Sequence, residues 1–159
     1  MFGEGYFSFS FSELIGTMVT IVGIWLVVSQ LRESRLSTQL SGFLELSSQF
    51  SGIAASIEFV DDLSVSEEWN SFDGSKAFAY LTDDVEIRKM YKHVGGFYES
   101  LSALVERGAL DYQLIDKTYG EIGARRWRTV EKAVVEHRKV LNSPGLYENW
   151  EWFAKEFPD

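Results

Sequence analysis

The chain has 159 residues and no cysteine, with fifteen Lys/Arg against twenty-four Asp/Glu for a formal net charge of −9. That acidic balance argues against generic binding to nucleic acid or an anionic surface, because neutralising phosphates requires clustered cations. The absence of cysteine excludes a disulfide scaffold and any thiolate metal site, and it fits a reducing compartment.

Residues 1–13 hold two glutamates and no Lys or Arg. This is the wrong start for a cleaved signal peptide, which needs a positive n-region, and no small-residue cleavage pattern follows. Residues 14–31, LIGTMVTIVGIWLVVSQL, then run for eighteen positions without a charge between Glu13 and Arg32. At 1.5 Å per residue such a helix covers roughly 27 Å, close to the ~30 Å hydrocarbon core of a bilayer. Phe7, Phe9 and Phe11 can extend it or sit at the interface. The stretch predicts one transmembrane helix; the competing reading is a buried helix of a globular core, which is usually shorter and carries polar positions. Arg32 and Arg35 follow the stretch and no cation precedes it. The positive-inside rule therefore expects residues 1–13 outside and residues 32–159 in the cytoplasm, as a single-pass protein of the cell inner membrane.

Within the stretch, Gly16, Thr20, Gly23, Val27 and Gln30 recur at helical spacing, within about 80° of arc. Small residues on one face let helices approach closely in lipid, and a glutamine there can bond across an interface. Ser34, Ser37 and Ser41 continue the same register. If the helix runs unbroken past Leu31, this face suits a ring of protomers around a wet axis, with the chain itself as the first partner and the bilayer as the second. Glycines are also common in membrane helices with no such role.

After the stretch the pattern is helical throughout, with two prolines and almost no strand-like alternation. Leu36, Leu40, Phe43, Phe50, Ala54 and Ile57 share one stripe expected to dock the domain's other helices, and an acid-rich loop is expected around 61–74. The clearest amphipathic helix carries Ile87, Met90, Tyr91, Val94, Phe97, Tyr98, Leu101, Leu104 and Val105, opened by Thr82-Asp83-Asp84 and closed near Gly108. Asp111 can cap the next helix, which Gly120 and Gly123 are expected to break. A longer helix should cover about 124–141, Asn142-Ser143-Pro144-Gly145 should stop it, and a last helix should span 146–157. The fold class is all-α: one transmembrane helix continuing into a cytoplasmic helical bundle.

Chemistry is sparse. Arg125, Arg126, Arg128, Lys132, Arg138 and Lys139 cluster on one helix, diluted by Glu131 and Glu136, and read as a solvated face. Trp127 and Arg138 lie within about 20° of each other on that helix. This gives Arg138 a structural role, its stem packed along the stripe and its head paired with an acid. His137 sits near the apolar stripe and reads as a core-edge histidine. With no second histidine nearby in sequence, no metal site is expected, and no cofactor either. Paired acids at 61–62, 67–68 and 83–84 read as loop and cap residues. There is no phosphate loop and no nucleophile elbow. Gly95-Gly96 inside a helix costs roughly 1 kcal/mol per glycine and points to close helix approach or a kink.

Arg88 and His93, in Arg-Lys-Met-Tyr-Lys-His, have an R-x4-H spacing similar to that of the higher-eukaryote and prokaryote nucleotide-binding superfamily of small helical ribonucleases. There the two side chains act in RNA cleavage. On one ideal helix, five residues leave them about 140° apart, so convergence needs a distorted turn or a dimer. The uncharged span, the Arg-rich stop, "IRKMYKHVGGFYESLSALVERGALD" and "EIGARRWRTVEKAVVEHRKV" together resemble a bacterial group of small single-pass membrane proteins of unassigned function. The layout is more distantly similar to the membrane-anchored accessory protein of type VI-B CRISPR systems, which assembles into a membrane pore. Two functions follow as expectations. One is a non-enzymatic, self-associating membrane protein whose cytoplasmic domain binds a partner. The other is a membrane-tethered ribonuclease-like domain using Arg88 and His93.

Overall fold

The computed structural model describes residues 11–157, and side chains from residue 18 onward. The expected outer segment 1–13 and Gly16 therefore lie wholly or partly outside the described residues. Among those described, every regular element is helical. The first, α1 (Phe11–Gly52), is continuous through Leu31. Then come α2 (Ala54–Val65), α3 (Glu67–Ser71), α4 (Gly74–Asp83), α5 (Val85–Glu106), α6 (Tyr112–Ile115), a π turn (Asp116–Gly120), α7 (Glu121–Leu141) and α8 (Glu148–Glu156).

The chain divides into two compact units, residues 1–40 and residues 41–159. In the first unit the apolar side chains are uncovered: Val19 and Trp25 are each 66% exposed. Leu36 and Leu40, expected to dock the domain's helices, are exposed as well. Among the described residues, no helix is long and apolar enough to cross a membrane. The part of the uncharged stretch whose side chains are described, 18–31, is fourteen residues, shorter than the ~18 that a span requires.

In the second unit, α2, α4 and α8 each pack against both α5 and α7. The core is dominated by large aromatics: Trp69, Tyr91, Tyr98, Trp150 and Phe153 are all essentially fully buried. Tyr98 stacks on Trp150 with centroids 4.8 Å apart and planes 11° from parallel. The last turns of α1 join this core through buried Leu46 and half-buried Phe43 and Phe50.

Helix boundaries follow capping chemistry. Asp84 accepts the backbone N–H groups of Glu86 and Ile87 to start α5, and Gly108, at φ +67, ends the following turn in a conformation that favours glycine. Asp111 accepts Leu114 N–H at 2.9 Å. Asn142 closes α7 in the left-handed region.

Two expectations fail here. The predicted loop at 61–74 is mostly helix, because Ser66 and Asp73 are caps that restart α3 and α4 by accepting Trp69 N–H and Lys76 N–H. Gly120 and Gly123 do not end a helix. The π turn stops at Gly120, α7 starts at Glu121, and Gly123 is buried inside it where a Cβ would press on Tyr98 and Phe153.

The basic cluster on α7 is likewise only partly a solvated face. Arg126 is buried, its Nε and Nη2 donating to the two carboxylate oxygens of Asp61 at 2.8 and 2.6 Å. Its Nη1 donates to the Tyr98 hydroxyl at 2.7 Å. Lys132 reaches back to donate to the carbonyls of Trp69 and Phe72 at the end of α3. One bidentate pair thus fastens α2 to α7 and, through Tyr98, to α5.

Asp61 is half-buried and Arg126 is buried. Removing the carboxylate strands that buried charge, so Asp61→Ala should destabilise the bundle by about 2–4 kcal/mol, toward the lower side of a fully buried pair. Tyr98→Phe, which deletes one hydroxyl, should cost only about 1–2 kcal/mol. Chemical denaturation of both variants checks this ranking, and equal losses would contradict it.

Candidate functional site

The sequence nominates α5, and the structure gives its two faces different uses. On one side Gly95 is buried beneath the ring of Tyr147, which occupies the space a Cβ would need. Tyr147 itself takes the left-handed region, φ 57, and leads directly into α8. Glu99, one helical turn on from Gly95, accepts the backbone N–H groups of Asn149 and Trp150 at 3.3 and 3.0 Å and the Asn149 side-chain amide at 2.6 Å. It therefore caps α8 from another helix, placing a carboxylate where the helix dipole favours negative charge.

Arg138 completes this end of the bundle. Its Nε donates to the Leu146 carbonyl at 2.9 Å, its Nη1 to Glu151 Oε2 at 2.6 Å, and its guanidinium carbon stands 5.8 Å from the Trp127 ring centroid. Hydrogen bonds from Lys155 and then Arg138 hold the Glu151 carboxyl below its usual range. Tyr91 and His137 meet across the core, hydroxyl to Nδ1, at 3.2 Å. Burial pushes the Tyr91 hydroxyl well up, and burial followed by repulsion from Lys92 lowers His137. His137 is thus a buried neutral imidazole of the core.

Arg88 and His93 leave α5 in different directions. Arg88 Nη1 donates to the Thr82 carbonyl at 3.1 Å, at the end of α4. His93 Nδ1 meets the buried Ser56 hydroxyl of α2 at 3.4 Å. The described structure does not join them at a common cavity: His93 lines a groove of about 570 Å³ between the end of α1 and α5, and Arg88 does not line it. The helix is regular across 88–93, so the separation expected from five residues persists.

Gly96 borders that groove, and a Cβ added there would meet nothing within 4 Å. Neither tight packing nor a positive φ explains the residue. Sequence reasoning singled out the Gly95-Gly96 pair without separating its members. It missed Gln49 and Gly52, which enter the groove only because α1 ends at Gly52 beside α5.

The small-residue face of α1 is open at each described position: Gly23, Val27, Gln30, Ser34 and Ser37 in the first unit are exposed, as are Thr20 and, in the second, Ser41. No cluster of three or more His, Asp or Glu able to hold a metal occurs among the described residues.

The class of protein is thus an acidic helical bundle preceded by a helix with exposed apolar side chains. A family model for a domain of unknown function (DUF4760) matches residues 11–157, so the chain is a member of that family. No curated protein and no solved structure matches it.

Two measurements follow. Gly96→Ala should stabilise the chain by about 0.5–1 kcal/mol through helix propensity alone, whereas Gly95→Ala should destabilise it by about 1–3 kcal/mol by displacing Tyr147; thermal unfolding separates the two signs. His137 is depressed below its ordinary 6.5. The unfolded chain therefore binds its proton first, and stability, full above about 6.5, falls as pH drops from there through the lower folded value. Melting temperatures between pH 7.5 and 5 should show this loss, and His137→Gln should flatten it.

Proposed function

We propose that the chain is a non-enzymatic, self-associating single-pass membrane protein. Residues 14–31 anchor it in the inner membrane with the N-terminus outside. Its cytoplasmic helical domain binds a partner protein, as a scaffold, accessory subunit or pore-type effector.

The observation that carries this reading is the bare apolar surface of α1. Met18, Val19, Ile21, Val22, Ile24 and Trp25 are each at least 55% exposed, and Leu31 is 64% exposed. A contiguous surface of this kind in water is a membrane or protein interaction site, and apolar area costs roughly 25 cal/mol per Å² when left hydrated. Lipid suits it better than a soluble partner. A helix satisfies its own backbone groups in hydrocarbon, the stretch has no charge, and two arginines follow it.

Self-association is supported by Gly23, whose open flank would admit a second helix, and by exposed Gln30, which in lipid would require a hydrogen-bonding partner. The layout also resembles that of the type VI-B accessory protein. The ribonuclease reading needs Arg88 and His93 to converge, and their separate partners on α4 and α2 oppose it.

Alkaline extraction and flotation should leave the full chain with the membrane fraction; recovery in the aqueous fraction would end this reading. In mild detergent the wild type should migrate as an oligomer and Gly23→Leu as a smaller species, and an unchanged size would refute the proposed face. Arg88→Ala, outside the groove that His93 lines, should keep wild-type biological output while remaining folded; loss of that output would favour the ribonuclease reading.

A further inference from the structure

We propose that the groove between the end of α1 and α5 binds a small organic anion with a flat apolar body, of the aryl carboxylate or aryl phosphate class. Its volume, about 570 Å³, falls within the ~300–1,000 Å³ of small-molecule sites.

Lys92 and His93 line it and no Asp or Glu does, against the grain of a chain with twenty-four acids and fifteen Lys/Arg. Gln49 and Ser100 add neutral hydrogen-bonding groups, and Ile53 and the buried Phe97 supply an apolar floor. The Ser56 hydroxyl occupies Nδ1 of His93, so Nε2 is the ring nitrogen left for a ligand.

The second observation concerns glycine. At Gly95, Gly120 and Gly123 a Cβ would stand within 3 Å of a neighbouring side chain, so packing demands them. Gly52 and Gly96 border the groove, and at both a Cβ would meet nothing within 4 Å. Neither has a positive φ. Gly52 ends α1, where glycine is ordinary, but Gly96 lies inside α5 and the fold does not require it; there it keeps the groove wall bare, so that a flat ring can lie against backbone. Residues that break a local rule without a packing reason mark function more often than accident.

Isothermal titration of the detergent-solubilised full chain with phenyl phosphate, benzoate and neutral benzyl alcohol tests this. Saturable binding of at least one anion, with benzyl alcohol at least about tenfold weaker, is the expected result, and the stronger anion identifies the headgroup. Lys92→Gln should weaken that anion about tenfold, and Gly96→Leu, which fills the groove, should abolish binding. Should Gly96→Leu not fold, Gly96→Ala serves in its place, with a raised melting temperature and weakened binding expected. The proposal is overturned if neither anion saturates by about 10 mM, if benzyl alcohol binds as well, or if a folded Gly96 variant keeps wild-type affinity. The inference does not rest on the membrane anchor: an anion-binding chain found in the aqueous fraction would refute the anchor and leave the groove standing.

Discussion

The bundle is organised around one charge that cannot be left alone. Arg126 is 6% exposed, and burying a guanidinium is tolerable only when its donors are matched. Asp61 supplies a bidentate carboxylate and Tyr98 a hydroxyl. The three residues come from α7, α2 and α5, so the match exists only when those helices are in register. Tyr98 in turn stacks on Trp150 of α8, which extends the same constraint to the last helix. An apolar side chain at 126 would not distinguish one helix register from its neighbours in this way.

This arrangement also explains where the sequence was readable. The caps Asp84 and Asp111, the stop at Asn142 and the amphipathic face of α5 are local signals that packing agrees with. The 61–74 segment was not readable, because acids and serines that look like loop residues serve as caps for two short helices and, at Asp61, as a half-buried counter-ion to Arg126. Arg126 belonged to an apparently solvated run for the same reason. Composition places a charge on a helix, but only the fold decides which charge turns inward. The glycines show the limit plainly: Gly95 and Gly96 are neighbours in sequence and opposite in meaning, one a contact surface for Tyr147 and the other open.

The two units differ in how they treat apolar area. In the second, the large aromatics are packed into one core while residues such as Leu44 and Val65 stay exposed, and polar groups such as Lys132 and Arg138 bond to helix ends. In the first, the large side chains from Met18 to Leu31 have no covering protein at all. The contrast is one of continuity: the exposed apolar residues of the second unit are scattered along its helices, whereas those of the first run in sequence along one helix.

The polar groups of the described residues divide between structural and open positions. A general acid or base needs a side chain held in place with a free reactive atom facing a cleft. Arg126, Arg138, Asp61, Glu99 and Glu151 are held in place, but by one another or by helix ends. Tyr91 and His137 occupy each other in the core. Of the titratable side chains on α5, His93 is the one that combines a fixed ring orientation with an open groove, and Lys92 beside it adds charge without an acid to complete a catalytic pair. The proposed anion site uses the cations and the bare backbone wall of that groove.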